Sequence, residues 1–234
     1  MTSSEGGRFP WGLTAAVVPA LAILIALGVW QSQRLAWKEG LIAAAETASA
    51  KPAAPLADVL AAGGDGEFRR VVVDCPGLET APYVELRTIE EGEPGLRLVS
   101  ACRAAGRTWL MDRGFVPETL SSRPPQAASE TPTRVTAEIR TAPPPGPMTP
   151  PAEGRMFYGR DNAAMARALG IEGPVEARTL YALTSSNPEW PALKPSAPPA
   201  AFSNNHLGYA LTWFGLAGAL AAVYVAMLRR RRNP

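Results

Sequence analysis

His206 is the only histidine of the 234-residue chain, in the run Asn204-Asn205-His206-Leu207-Gly208-Tyr209-Ala210. On a helix, His206, Tyr209 and Trp213 share one face at i, i+3 and i+7. An imidazole on a membrane helix can ligate haem iron. The plainer reading is a polar ring resting among lipid headgroups, since apolar sequence follows at once. A second group, Trp30, Gln31, Arg34, Trp37 and Lys38, carries aromatic rings and cations. Together the two groups offer one metal ligand, flat apolar walls and positive charge. That set suits an amphipathic, iron-containing, carboxylate-bearing molecule, and haem is one. The candidate cofactor-binding residues are His206, as the iron ligand, with Tyr209, Trp213, Arg34, Lys38 and Trp30.

Other chemistries find little support. One histidine leaves a Ser–His–Asp triad a single base, at a membrane boundary, with no G-x-S-x-G elbow. Gly63-Gly64-Asp65-Gly66 lacks the Lys-Ser/Thr that a phosphate-cradling loop requires. Glu90, Glu91 and Glu93 read as a solvated acidic turn. Copper wants closely spaced Cys, His or Met ligands, whereas Cys75 and Cys102 stand far apart and the six methionines are scattered. Two independent half-buried thiols are the expectation, with a disulfide as the alternative in a compartment that permits one. No enzyme is expected. A net charge of +2 leaves no basic stripe for nucleic acid.

Two apolar stretches must position the candidate residues. Residues 12–30 and 207–228 each supply the roughly 20 apolar residues needed to cross the hydrocarbon core. Pro19 is tolerated in such a helix. A cleaved signal peptide fits the first stretch less well, because its apolar core exceeds the usual 7–15 residues. Arg229 to Arg232 should stay cytoplasmic and outweigh Arg34 and Lys38. The expected order is a cytoplasmic N-terminus (1–11), a first span (12–30), a periplasmic or intermembrane-space domain (31–206), a second span (207–228) and a cytoplasmic basic tail (229–234). The antiparallel spans bring residues 30–38 and 204–209 to one membrane surface. Gly208, Gly215, Gly218 and Ala219 are small enough for close helix approach, and Gly215 is expected to face the first span.

Between the spans, the first helix should continue to about residue 48, with Trp30, Arg34, Trp37 and Leu41 on one face. Strand-like runs follow at 68–75, 83–88, 96–102, 107–116 and 134–140. A four-residue loop, 103–106, should make a hairpin of the third and fourth. A short strand at 156–158, a helix at 162–169 and a last strand at 177–184 complete the reading. Pro-dense segments at 124–132, 143–151 and 188–199 are loops or extended connectors. The expected fold is a membrane protein of the α+β class. Two transmembrane helices flank one soluble domain, which has an antiparallel β-sheet or small barrel and one or two helices.

These residues resemble the Surfeit-1 (Surf1/Shy1) family. The first motif, L-G-x-W-Q-x-x-R-x-x-W-K-x-x-L-I, is met by Leu27-Gly28-Val29-Trp30-Gln31 and by Arg34, Trp37, Lys38, Leu41 and Ile42. The central R-G-W/F-V-P is met by Arg113-Gly114-Phe115-Val116-Pro117 after the strand Trp109-Leu110-Met111-Asp112. The closing N-N-H-x-x-Y-A-x-T-W-F-x-L-A is met from Asn204 to Ala217, and W-Y-x-x-D weakly by Phe157-Tyr158-Gly159-Arg160-Asp161. The resemblance implies an assembly factor for haem–copper cytochrome c oxidase that binds haem a and aids its insertion into the catalytic subunit. The alternatives are a cofactor-free scaffold for an assembly intermediate, or a permanent accessory subunit. It implies as partners that subunit, the synthase that makes haem a, and membrane lipid, with no nucleic acid. It implies a bacterial inner membrane with the domain on the periplasmic side, or the mitochondrial inner membrane in a eukaryote. His206 matches the family's proposed haem ligand. Arg113 and Gly114 match a pair read here as structural, Gly for backbone geometry and Arg for a salt bridge or hydrogen bonds.

Overall fold

A computed structural model describes residues 9–64, 66–196 and 204–232. Arg8, Asp65 within the glycine run, the end of the third Pro-dense segment and the last two residues of the tail lie outside the described residues. The chain divides into two compact units, residues 1–43 with 201–234, and residues 44–200.

The first unit is a pair of apolar helices. Helix α1 runs over Trp11–Ala50 and contains Pro19, and helix α4 over His206–Arg232. Both are long and apolar enough to cross a membrane. Four arginines close α4, where cations complement the negative end of the helix dipole.

Less exposed positions include Thr14, Val17, Leu21, Leu24, Gly28 and Gln31 on α1, and His206, Ala210, Trp213, Ala217, Ala221 and Tyr224 on α4. Both series advance in steps of three and four, which is the rhythm of helices packed side by side. The two helices touch at Gly28, where a Cβ would meet the Phe214 ring at 2.6 Å. At one end the Thr14 hydroxyl donates to the Pro10 carbonyl (3.1 Å) and so accepts from the Tyr224 hydroxyl (2.6 Å). Gly215 does not face α1. It is exposed, with open space where its Cβ would stand. Ala210 and Ala217 supply the small surface instead.

The second unit is built on one eight-stranded sheet. Its strands are β1 (Ala54–Pro55), β2 (Arg70–Pro76), β3 (Tyr83–Glu90), β4 (Glu93–Ala104), β5 (Arg107–Pro117), β6 (Pro132–Arg140), β7 (Met156–Phe157) and β8 (Thr179–Ala182). Two short helices, α2 (Leu56–Ala61) and α3 (Asn162–Ala168), complete it. The order is β1-β2-β6-β8-β5-β4-β3-β7.

The sheet is mixed rather than wholly antiparallel. β1–β2, β3–β7 and β5–β8 pair in parallel, and β2–β6, β3–β4, β4–β5 and β6–β8 antiparallel. The parallel pairing of β8 arises because the chain returns through α3 and inserts β8 between β6 and β5. Two-residue turns join β3 to β4 and β4 to β5. Glu91 and Gly92 (φ 52° and 85°) and Ala105 and Gly106 (φ 48° and 72°) hold the positive φ pair that matches strand twist. The expected 103–106 loop is therefore shorter, since Ala104 still pairs with Arg107.

Inward side chains of β2, β6, β8, β5 and β4 meet in one core. Val71, Val73, Val135, Ile139, Leu180, Trp109 and Met111 are among them, and Leu56 and Val59 of α2 cover it. The sheet curls so far that β2 and β4, not neighbours in the order, come together at a Cys75–Cys102 disulfide with Cα atoms 5.3 Å apart. The expectation of independent thiols is thus overturned. The curl that joins them links residues 27 apart in sequence, and no local pattern reveals it. The opposite face packs Val84, Leu86, Val99, Leu110 and Phe157 against Met165 of α3. Asp161 caps that helix, its carboxylate accepting from the Ala164 N–H at 2.9 Å.

Candidate functional site

His206 opens α4 and lies on the side of that helix that meets α1. Its Nδ1 is 2.6 Å from Oε1 of Gln31, and both side chains are half-buried. The structure therefore joins the N-N-H motif to the W-Q motif through a direct side-chain contact. Nε2 of His206 has no hydrogen-bond partner among the described residues. Just before the helix, Oδ1 of Asn204 is buried without a hydrogen-bond partner among the described residues. Helix α4 starts on the Asn205 carbonyl, which accepts from the Tyr209 N–H at 3.2 Å.

The other expected residues divide by side. Trp213 lies half-buried along the seam with His206. Tyr209 and Trp30 turn outward, 55% and 53% exposed. Arg34 stands one turn beyond Gln31 on α1, its guanidinium carbon 3.7 Å from the centroid of the Trp37 ring. Lys38 is half-buried a further turn along. The arrangement is one imidazole with Nδ1 engaged, flanked by outward aromatic faces and followed along α1 by two cations. This donor set fits a flat, apolar, carboxylate-bearing metal complex held by one nitrogen. Among the described residues no group of three His, Cys, Asp or Glu side chains could hold a bare metal ion.

The soluble unit carries a buried ionic network that the sequence reading missed. Asp112 is fully buried on β5, and Arg97 on β4 donates to it from Nε at 2.8 Å. Arg160, just ahead of α3, pairs with the same carboxylate. Arg97 also reaches Glu90 (2.7 Å) and the Ser196 carbonyl, while the Ser196 hydroxyl donates to Glu90 at 2.6 Å. Glu90 is thus engaged rather than freely solvated. Burial opposes the charge on Arg97, but Asp112 and Glu90 outweigh it and raise its pKa. Tyr181 on β8 lies against both arginines, and burial raises its pKa above the usual phenol value. The signal available in sequence was alternation: Glu138 and Arg140, Asp112 and Arg97 occupy strand positions that read as outward and are covered.

Arg113 points to the opposite side of β5. It makes hydrogen bonds rather than a salt bridge, Nε to the Ser186 hydroxyl (3.0 Å) and Nη2 to the Glu79 carbonyl (2.8 Å). Burial lowers its pKa to about 10, so it remains charged at neutral pH. Gly114 has φ 132°, and a Cβ there would stand 2.3 Å from the Lys194 carbonyl oxygen. Both residues of the central motif are structural, as their types suggest. A cavity of about 650 Å³ lies beside α3, between Pro144, Pro145, Ile171, Pro174 and Val175. Its polar lining is largely committed: Asp161 caps α3, Asn162 donates to the Ala177 carbonyl, and Glu176 pairs with Arg107 and Arg178.

Comparison with known proteins finds relatives that match nearly the whole chain. The chain is 26% identical to a SURF1-like protein of Monosiga brevicollis over 99% of its own length and 92% of the relative's. It is 26% identical to a SURF1-like protein of Drosophila melanogaster over 95% of its length and 79% of the relative's. The SURF1 family as a whole matches residues 18–218, from inside the first apolar helix to inside the second, and the chain belongs to that family.

Proposed function

We propose that this protein is a haem-handling assembly factor of haem–copper cytochrome c oxidase and not an enzyme. The observation that carries the reading is the His206–Gln31 pair, which leaves Nε2 of the chain's one imidazole available at the start of α4, against α1. Haem a, when bound, would supply an iron able to take a nitrogen ligand, and two carboxylates. His206 would hold the iron, Trp213, Tyr209 and Trp30 would lie against the ring, and Arg34 and Lys38 would take the propionates. Charge-assisted hydrogen bonds of that kind contribute about 1.5–3 kcal/mol each. The partners are the catalytic subunit that receives the haem, the synthase that supplies it, and the surrounding lipid.

The protein would sit in a bacterial inner membrane with residues 31–206 on the periplasmic side and Arg229–Arg232 in the cytoplasm, by the positive-inside rule. A reporter active only outside the cytoplasm should work when fused after Gly146 and be silent after Pro234. The reverse pattern would overturn the orientation.

The functional test is oxidase composition. His206→Ala should accumulate as wild type does and leave the oxidase short of haem. Full haem content in that strain would remove haem delivery and favour a scaffold that stabilises an assembly intermediate.

A further inference from the structure

We infer that Gln31 is a positioning residue for His206: its amide oxygen holds the imidazole proton on Nδ1 and so presents Nε2 as the bare nitrogen that a metal can take. The inference rests on the haem-handling reading, but its chemistry can be tested without haem.

A neutral imidazole has one N–H, and either nitrogen can carry it. Free in water, histidine favours the proton on Nε2, the nitrogen a metal ligand must keep bare. Gln31 reverses that preference. Its Oε1 lies 2.6 Å from Nδ1, and a carbonyl oxygen only accepts, so the nitrogen facing it is the one that donates. A single net hydrogen bond shifts such an equilibrium about two- to tenfold, and more where water is excluded. The packing of the helices makes the contact specific. Gln31 lies three residues after Gly28 and His206 four before Ala210, so the seam that buries Gly28 and Ala210 also sets the amide against the ring. Metal-bound histidines elsewhere use the same device, and losing the outer partner weakens metal affinity about 10–100-fold.

A bond that only tied the two helices together would give the same geometry, so the test must read the proton. With one histidine in the chain, ¹⁵N-histidine labelling of the full-length protein in detergent gives two ring-nitrogen resonances from a single ring. With the ring neutral, the wild type should show a protonated Nδ1 and a bare Nε2. Gln31→Leu should move the proton largely to Nε2, and Gln31→Glu, whose carboxylate also accepts, should restore Nδ1–H. Ferric haem added to the same samples should bind about tenfold or more weakly to Gln31→Leu than to wild type, and at least as tightly to Gln31→Glu. A wild-type ring with its proton on Nε2 would overturn the inference, and so would equal haem affinity in all three proteins. If the wild type bound no haem while its proton sat on Nδ1, the tautomer claim would stand and the haem-handling reading would fall.

Discussion

Gly114→Ala is a sharp test of the soluble unit, because its cost can be worked out and has a matched control. Gly114 adopts φ 132° at the bulge where β5 shifts register against β4. Here the Phe115 N–H donates to the Lys194 carbonyl (2.8 Å) and the Lys194 N–H to the Phe115 carbonyl (2.9 Å). A Cβ at 114 would stand 2.3 Å from that carbonyl oxygen, 2.6 Å from its carbon and 2.8 Å from Cα of Pro195. All three are backbone atoms and cannot swing aside. Forcing an L-residue into this conformation costs about 1–2 kcal/mol, and overpacking adds about 1–3 kcal/mol. The total is roughly 2–5 kcal/mol, a large part of the 5–15 kcal/mol that holds a domain folded. Gly106→Ala isolates the first contribution, since Gly106 has φ 72° but nothing within 4 Å of its Cβ position. It should cost about 1–2 kcal/mol. Urea unfolding of the full-length protein, followed by proteolysis of the opened domain, reads both. If Gly114→Ala cost no more than Gly106→Ala, the argued contact with residues 194 and 195 would be wrong.

Two further outcomes follow from the packing. Gly28→Leu should separate the helices and lower accumulation, whereas Gly215→Leu, on an open face, should accumulate normally; the opposite ranking on immunoblots would refute the seam. Replacing Cys75 and Cys102 by Ala should cost about 3.5 kcal/mol by the loop-closure relation for a 27-residue separation. Melting should fall by about 10 °C, and an unchanged melting temperature would show that the bridge is not formed.

The spans were legible because length and hydropathy alone decide them, and the meander from β3 to β5 because local turns set it. The seam was not. Gly215 and Gly28 are equally small, and only the rotational setting of each helix, fixed by the steps of three and four through Val17, Gly28, Ala210 and Ala217, tells which one is covered. Sheet order was hidden for a related reason. β8 has four residues, and its place between β5 and β6 follows from long-range packing rather than its own pattern. The disulfide depends on that order, since only the curled sheet brings β2 to β4. The nearness of His206 to Gln31 was readable. His206 and Gln31 each stand where an antiparallel pair of spans must meet, so topology alone predicted that they would be neighbours. The sequence could not show that Gln31 takes Nδ1, nor that Tyr209 and Trp30 turn outward.

Haem binding through His206 is the central claim, and the visible absorption spectrum of the protein purified from cells making haem a tests it most directly. The wild type should carry a haem band in stoichiometric yield, and His206→Ala, purified in equal amount, should be colourless. A colourless wild type, or a His206→Ala protein with an unaltered band, would contradict the account.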